Sequence, residues 1–249
     1  MAKALLSIEG VSRRFGGLLA VNHVSLAAPT GRITALIGPN GAGKTTLFAL
    51  ISGFLAPTEG SIHYGGEPIT TLPAHERARR GIARTFQIVQ PFSGLSVRDN
   101  IVVGAHLHHP TRAAALDLAD AIGRELGLGA MLDRPADTLT VAGRKRLELA
   151  RALATKPKLL LLDEVLAGLN PTEVEHMIGV VRRIRERGVT ILIIEHLMQA
   201  IMNLSDRIVV LNFGEKLAEG VPAEVARHPQ VIEAYLGDPK LAAELQGGG

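Results

Sequence analysis

Short apolar runs recur along the chain and predict a set of buried β-strands. Two of them, residues 5–9 and 33–37, lie near the N-terminus, and each is followed by a glycine. Three more, at residues 159–163, 190–194 and 207–211, lie in the C-terminal half. Continuous apolar runs of this length are typical of strands that are covered on both faces. The pattern therefore predicts an α/β protein.

Helical patterns lie between these strands. Residues 45–51 follow a glycine-rich turn, and residues 171–187 carry a proline at the first position, which is favourable in a helix. Because the second helix lies between two strand patterns, those strands are expected to be parallel. The segment from residue 97 to residue 154 is rich in Ala, Leu and Arg and is predicted to be mostly helical. Residues 61–64, framed by glycines, predict a small antiparallel sheet beside the core.

The composition excludes several classes of protein. The formal net charge is +3, from 27 Lys and Arg against 24 Asp and Glu, which is too small to indicate a nucleic-acid partner. There is no Cys, which excludes disulfides and thiolate metal sites and suits a cytosolic protein. No apolar run is long enough to cross a bilayer, so membrane contact is expected to come through a partner. Four basic residues are interpreted as a solvated face: Arg77, Arg79, Arg80 and Arg84.

A glycine-rich turn after the strand at 33–37 carries the clearest chemical signal. It satisfies the GxxxxGK[ST] pattern of a phosphate loop, in which backbone N–H groups face phosphate oxygens. The loop residues are Gly38, Pro39, Asn40, Gly41, Ala42, Gly43, Lys44 and Thr45. Lys44 is expected to act at the β- and γ-phosphates of ATP in binding and catalysis, and Thr45 to bind Mg²⁺. Thr46, counted with the nucleotide-binding residues, replaces the third glycine of a dinucleotide fingerprint and excludes that alternative.

Two acidic residues end the apolar run at 159–163. Asp163 is placed to hold Mg²⁺ through water, and Glu164 to orient or deprotonate the water that attacks the γ-phosphate. The alternative is that these acids only cap the next helix, as acids after a strand often do. The phosphate loop in the same chain favours the catalytic interpretation.

Gln87 and His196 follow apolar strand patterns at residues 82–86 and 191–194. In α/β proteins, ligands bind at the carboxyl ends of the strands, where both side chains are expected to lie. A single His or Gln is more often structural, but the shared position favours a role at the site.

The chain resembles the ATP-binding-cassette (ABC) ATPases over nearly its whole length. The resemblance lies in the order of five features: the phosphate loop, Gln87, residues 139–143, the acid pair and His196. The resemblance implies an α/β P-loop NTPase fold of RecA-like type, with a parallel-sheet core, an antiparallel β subdomain and an α-helical subdomain. It also implies that Gln87 completes the Mg²⁺ shell and senses a membrane subunit, and that His196 contacts the γ-phosphate. Phe15 is similar to the family's aromatic residue that stacks on adenine, and the alternative is an ordinary core Phe.

In this family two ATPase subunits enclose two ATP molecules, and the signature segment of each completes the site of the other. The segment here is Leu139-Thr140-Val141-Ala142-Gly143, which departs from the usual Leu-Ser-Gly-Gly-Gln. By resemblance, Thr140, Ala142 and Gly143 contact nucleotide, and the methyl group of Ala142 is expected to loosen that contact. The altered segment favours a second ATPase subunit that is a different chain, with a homodimer as the alternative.

One ABC ATPase domain is expected over residues 1–249. Residues 1–87 are expected to contain the antiparallel β subdomain and the phosphate-loop part of the core. Residues 88–154 are expected to form the helical subdomain with the signature segment, and residues 155–236 the remainder of the core. Residues 237–249, which end in three glycines, predict a flexible tail.

Residues 81–87 and 167–171 are similar to the ATPases of importers for branched-chain and related hydrophobic amino acids, and ATPases of urea uptake and lipopolysaccharide export share much of this pattern. The resemblance implies a peripheral ATPase on the cytoplasmic face of the cell membrane, which uses ATP and Mg²⁺. Its implied partners are a second ATPase subunit, two membrane permeases and, indirectly, a solute-binding protein, without nucleic acid.

Two other classes of function are weighed against this one. A soluble cassette protein that acts on ribosomes or DNA usually carries tandem cassettes or a coiled coil, whereas this chain has one cassette and no heptad run. A phosphoryl-transfer kinase would leave residues 139–143 and His196 unexplained.

Overall fold

The computed structural model describes residues 3–87 and 90–235, which form ten strands and nine α-helices. The strands are β1 (Ala4–Phe15), β2 (Leu18–Pro29), β3 (Ile33–Ile37), β4 (Glu59–Tyr64), β5 (Glu67–Pro68), β6 (Ile82–Arg84), β7 (Leu159–Asp163), β8 (Thr190–Ile194), β9 (Arg207–Asn212) and β10 (Glu215–Gly220). The helices are α1 (Lys44–Ser52), α2 (Ala74–Arg79), α3 (Val97–Ala105), α4 (Arg112–Glu125), α5 (Val141–Ala154), α6 (Pro171–Glu186), α7 (Met198–Leu204), α8 (Pro222–Val225) and α9 (Pro229–Tyr235). The predicted tail at 237–249 lies outside the described residues.

The larger sheet has six strands in the order β10-β9-β3-β8-β7-β6. Five of them are parallel, and β10 pairs antiparallel with β9 at one edge. Every residue of β3, β7 and β8 is buried, which explains why these strands are continuous apolar runs in the sequence. The carboxyl ends of β3, β8, β7 and β6 therefore lie side by side along one edge of the sheet.

A second sheet is antiparallel, with the order β2-β1-β4-β5. Its long strand β2 was not predicted from the sequence, because its buried residues alternate with exposed ones and its pairing with β1 contains register shifts. His23, in the middle of β2, has a φ of +45° at one of these irregularities. Together with the helices α3, α4 and α5, which occupy residues 97–154, this arrangement confirms the predicted fold class. The subdomain boundaries at residues 87, 154 and 236 remain predictions.

The strand predicted at residues 82–86 ends two residues earlier, at Arg84. Thr85 still donates its N–H to the carbonyl of Leu161, but the N–H of Phe86 donates to the side chain of Glu148. The ladder ends at this point because a carboxylate has replaced the strand carbonyl as acceptor. Helix α7 was not predicted either, since its seven residues form too short a pattern.

The interpretation of the four arginines as a solvated face was wrong for two of them. Arg79 and Arg80 are exposed, but Arg77 is buried and the side chain of Arg84 is only 8% exposed. Arg77 donates to the carbonyls of Leu50 and Ile51 in the last turn of α1. Carbonyls at the end of a helix have no partner within it, and a cation there is favourable.

Arg77 also donates to the carbonyls of Leu72 and Thr70, and burial lowers its pKa to about 10, so that it stays charged at neutral pH. We expect Arg77→Met to lower the free energy of unfolding by about 3 kcal/mol, because buried carbonyls lose their donor. Denaturant unfolding measures this effect. The matched control Arg79→Met, on the same helix but exposed, should change stability by no more than about 0.5 kcal/mol, and an equal loss in both variants would contradict the assigned role of Arg77.

Within the described residues, no helix combines the length and the apolar character that crossing a membrane requires.

Candidate functional site

The phosphate loop connects β3 to α1. Gly38, Gly41 and Gly43 all have positive φ, at +150°, +81° and +96°. A Cβ atom at Gly38 would lie 2.1 Å from the carbonyl oxygen of Leu211, and one at Gly43 would lie 2.4 Å from that of Ala20. The loop therefore depends on glycine both for its backbone angles and for its close packing. No side chain caps α1, so its first N–H groups are free to face an anion.

Lys44 is the first residue of α1 and is only 6% exposed. Its Nζ donates to the carbonyl oxygens of Gly38 at 2.6 Å and Pro39 at 2.9 Å. Burial lowers the pKa of Lys44, and the nearby carboxylates of Glu164 and Asp163 oppose this effect. The lysine is thus held against the loop, where its charge faces both the loop and the acid pair.

Asp163 is the last residue of β7 and is 1% exposed. Its Oδ2 atom accepts a hydrogen bond from Arg84 at 2.9 Å, whereas its buried Oδ1 atom has no hydrogen-bond partner among the residues that the structure describes. Burial raises the pKa of Asp163, and the hydrogen bond and charge of Arg84 lower it. The carboxylate of Asp163 therefore has one oxygen available for a ligand, at the edge of the sheet where the phosphate loop lies.

Glu164, Gln87 and His196 come together at the carboxyl ends of the strands. The Oε2 atom of Glu164 accepts from Nε2 of Gln87 at 2.7 Å, and its Oε1 atom lies 2.9 Å from Nε2 of His196. Glu164 has a φ of +50°, in the left-handed region that a residue with a Cβ atom rarely adopts. Strain of this kind occurs most often at functional sites.

The acid pair does not cap the next helix. Helix α6 begins seven residues after Glu164, and its N-cap is Asn170, whose side chain accepts from the N–H of Glu173. The side chain of Glu173 in turn accepts from the N–H of Asn170. Because this capping box already completes the helix start, capping does not explain the two acids.

A cleft of about 400 Å³ joins the loop to these side chains. Its lining contains predicted site residues from five parts of the chain. They are Phe15, Asn40, Gly41, Ala42, Gly43, Lys44, Thr45, Thr46, Gln87, Glu164 and His196, with Leu18 and Ala20 beside them. Phe15 is 42% exposed, so it is not an ordinary core Phe, and the guanidinium of Arg13 lies 4.7 Å from the centre of its ring. Asp163 lies beneath the lining rather than in it.

The signature segment does not line this cleft. Thr140 is exposed and is the N-cap of α5, where its hydroxyl accepts from the N–H of Gly143 at 3.2 Å. Ala142 is buried within this chain, and the expectation that its methyl group loosens the contact with a nucleotide stays a prediction. Val141 is the residue of this segment with a large exposed side chain, at 57%.

Several buried charged residues at the site were missed from the sequence. Burial raises the pKa of Glu148 and that of Glu195 to about 7 each, and both carboxylates accept backbone N–H groups, from Phe86 and Leu166 respectively. Lys145, on α5, contacts the backbone of the loop after β7. Their only sequence signal is a charged residue at a position of a helix or strand that otherwise faces the core.

Among the described residues, no group of three His, Cys, Asp or Glu side chains could hold a metal ion alone. Magnesium needs few protein ligands when a nucleotide supplies phosphate oxygens, and it prefers carboxylate and hydroxyl oxygens. The unpartnered oxygen of Asp163 and the hydroxyl of Thr45 are donors of this kind. The residues present therefore fit magnesium bound together with nucleotide.

Comparison with known proteins places the chain in a family. The family model described as "ABC transporter" matches residues 21–167, and the one described as "Branched-chain amino acid ATP-binding cassette transporter" matches residues 215–240. The chain is 41% identical to the high-affinity branched-chain amino acid transport ATP-binding protein BraF of Pseudomonas aeruginosa, over 96% of this chain and 100% of that protein. It is also 41% identical to the corresponding protein LivG of Escherichia coli, with the same coverage.

Solved structures agree with this assignment. A structure titled as the ADP conformation of an ATP-binding cassette of an ABC transporter superposes with a TM-score of 0.85 at 31% identity, and it covers 95% of this chain and 100% of that one. A dimeric cassette bound to ADP and Pi shares the fold, with a TM-score of 0.80 at 21% identity over 87% of this chain and 98% of that chain. The resemblance found in the sequence is thus confirmed over nearly the full length. This chain belongs to the ABC transporter family, as a nucleotide-binding cassette that hydrolyses ATP.

Proposed function

We propose that this chain powers the uptake of branched-chain or related hydrophobic amino acids, as one ATPase subunit of an importer at the cytoplasmic face of the cell membrane. The observation that carries the proposal is the 41% identity, over nearly the full length, to ATP-binding proteins of branched-chain amino acid transport. The match at residues 215–240 favours this solute class over urea uptake and lipopolysaccharide export.

The cleft supports a specific mode of ATP binding. Adenine stacks on the exposed ring of Phe15, which Arg13 supports from one side. The β- and γ-phosphates lie against the N–H groups of the phosphate loop, and Lys44 turns from the carbonyls of Gly38 and Pro39 to the phosphate oxygens. In this mode Lys44 exchanges two backbone acceptors for phosphate oxygens.

Hydrolysis is assigned to the residues that meet Glu164. Water attacks the γ-phosphorus while the bond to the bridging oxygen of ADP breaks, and Glu164 accepts the proton of the water. His196, 2.9 Å from this carboxylate, orients it and contacts the γ-phosphate. Thr45, Gln87 and Asp163 are the residues that would hold Mg²⁺, which when bound neutralises charge on the phosphates.

The second cassette supplies its signature segment to this site, and this chain supplies Thr140, Ala142 and Gly143 to the other. These residues start α5, where the N–H groups of a helix N-terminus suit a phosphate. The exposed side chain of Val141 occupies the place of a glycine in the usual signature. This substitution supports a pair of different ATPase chains, in which the sites need not be equivalent.

A groove of about 360 Å³ beside Gln87 is the surface proposed for the permease. It is lined by Arg84 and Glu148 and by the exposed apolar side chains of Phe54, Phe86 and Val103. Phe54 and Phe86 meet edge to face, with ring centres 5.5 Å apart. An exposed apolar groove next to the site provides a path by which a bound helix can act on Gln87.

We expect Val103→Asp to weaken assembly with the permeases by about tenfold or more, because it places a charge in an apolar interface. The ATP affinity of the isolated chain should be unchanged, since Val103 lies outside the nucleotide cleft. Quantitative co-purification from detergent extracts measures the effect. The control is Val221→Asp, which replaces a similarly exposed valine at a helix N-cap; equal co-purification of both variants would exclude this groove.

The proposed function is tested by extracting the tagged chain in mild detergent and identifying what co-purifies. Two permeases and a second cassette are expected, and the complex in proteoliposomes should take up leucine, isoleucine or valine only when ATP is supplied on the cassette side. Co-purification of ribosomes or nucleic acid would contradict the importer. An intact complex that transports urea but none of these amino acids would contradict the solute class alone.

A further inference from the structure

Helix α5 contacts the loops of its own catalytic site through two buried side chains. Lys145, in the second turn of the helix, donates from Nζ to the backbone carbonyl of Glu164 at 2.5 Å. Glu148, about one turn further, accepts from the N–H of Phe86, the residue before Gln87. The helix that begins at the signature segment therefore contacts two of the three loops that carry Gln87, Glu164 and His196.

The contact with Lys145 bears directly on the strained backbone of Glu164. The N–H of Glu164 donates to the carbonyl of Ile194 at 2.9 Å, and its carbonyl accepts from Lys145. The peptide groups on both sides of this residue are thus fixed, while its φ is +50°. Because the backbone angles set the direction of the Cα–Cβ bond, they also set where the carboxylate lies.

Lys145 also carries the positive charge that faces a group of buried acids. Burial raises the pKa values of Glu148, Glu195 and Asp163, and the charge of Lys145 opposes each rise. The other cations that face this group are Arg84, which pairs with Asp163, Lys44, whose charge also faces Asp163, and Arg151, which lies near Glu148. Burying an ammonium group costs free energy unless the group is paired, so the buried position of Lys145 at the site requires an explanation.

We propose that Lys145 is a positioning residue for hydrolysis, which holds the backbone of Glu164 in the conformation that presents its carboxylate to the γ-phosphate. This inference rests on the proposed role of Glu164 as the base. Lys145 lies two residues after the signature segment, on the same helix that the segment begins.

The test compares Lys145→Met, Lys145→Gln and Lys145→Arg in the assembled complex. We expect kcat of the Met variant to fall on the order of 10- to 100-fold, since a displacement of about 1 Å of a catalytic group has an effect of this size. KM and the affinity for a fluorescent ATP analogue should stay within about twofold, because the phosphate loop is unchanged. Arg should restore most of kcat, and Gln, which donates without a charge, should give an intermediate value.

A structural measurement accompanies the kinetics. Hydrogen exchange of the amides that follow Asp163 should be faster in the Met variant than in the wild type, and near the wild-type rate in the Arg variant. Lys158→Met, which removes an exposed lysine before β7, is the matched control and should change neither quantity. If the Met variant does not fold, a kcat for Gln below that for Arg still supports the proposal, and equal values overturn it.

The proposal is overturned if the Met variant keeps the wild-type kcat, or if its ATP affinity falls as much as its kcat. Glu164→Gln in the same complex distinguishes an error in the proposed role of Glu164 from an error in the proposed role of Lys145. If Glu164→Gln still hydrolyses ATP, the proposed base is wrong and this inference fails with it. If Glu164→Gln is inactive while Lys145→Met is fully active, only the role of Lys145 is wrong.

Discussion

Replacing Glu164 with Gln should lower the rate of ATP hydrolysis at saturating ATP by about 100-fold or more, because a general base contributes about 10²- to 10⁴-fold. The amide has the same size as the carboxylate and can still bond to Gln87 and His196, but it cannot accept the proton of the attacking water. ATP affinity should stay within about twofold, since the phosphate loop and Phe15 are unchanged. Phosphate release and equilibrium binding of a fluorescent ATP analogue, both on the assembled complex, measure the two quantities.

The matched control for this experiment is Glu175→Gln, which removes an exposed carboxylate from α6. Its turnover should equal that of the wild type. Turnover by Glu164→Gln at the wild-type rate would remove Glu164 as the base and leave His196 as the alternative candidate. A loss of ATP binding together with turnover would instead mean that Glu164 supports the loop, since the charge of Lys44 faces it.

The parts of the fold that could be predicted from the sequence are the strands whose apolar residues form one continuous run. Strands β3, β7 and β8 are buried on both faces, so their apolar residues are consecutive and the pattern has no ambiguity. Strand β2 is buried on one face only, and a residue with positive φ interrupts its alternation. The alternating signal is lost where the register shifts, and the strand was missed for that reason.

The centre of the site could be predicted because the topology brings its parts together. Gln87, Glu164 and His196 follow neighbouring parallel strands, and the carboxyl ends of such strands meet at one edge. No knowledge of side-chain contacts was needed to expect that they lie close together. The hydrogen bonds of 2.7 and 2.9 Å to Glu164 show how close they are.

The buried charges around the site could not be predicted in the same way. Arg84 meets Asp163, 79 residues away, and Arg77 meets carbonyls 26 and 27 residues away. A run of arginines in a sequence is interpreted as a solvent-exposed face unless the positions of these partners are known. Lys145 likewise looks like an ordinary basic residue of an amphipathic helix, although its contact with Glu164 gives it a specific place. Burial of a charge is decided by its tertiary partner, which the local sequence does not show.

Replacing Lys44 with Met should lower the affinity for ATP, whereas Glu164→Gln should lower the rate of hydrolysis and leave the affinity nearly unchanged. A hydrogen bond to a charged group contributes about 1.5–3 kcal/mol, and each 1.4 kcal/mol corresponds to about tenfold in affinity. Loss of the contacts proposed between Lys44 and the β- and γ-phosphates should therefore weaken ATP binding by about 100-fold or more. ADP, which lacks the γ-phosphate, should lose less affinity than ATP.

The stability of the Lys44→Met variant is a second expected result, because the Nζ of Lys44 also donates to two carbonyls of its own loop, at 2.6 and 2.9 Å. Met leaves these two carbonyls without their donor, whereas Arg77→Met does so for four, and it also removes the cost of burying a charge. The unfolding midpoint should therefore fall only slightly while ATP affinity collapses. Lys216→Met, which removes a lysine from a surface ion pair with Glu219, is the control and should leave affinity unchanged. If Lys44→Met bound ATP and ADP as tightly as the wild type, the loop would hold phosphate by its N–H groups alone. An equal loss for ATP and ADP would instead place the charge at the β-phosphate, because only contacts with the γ-phosphate distinguish the two nucleotides.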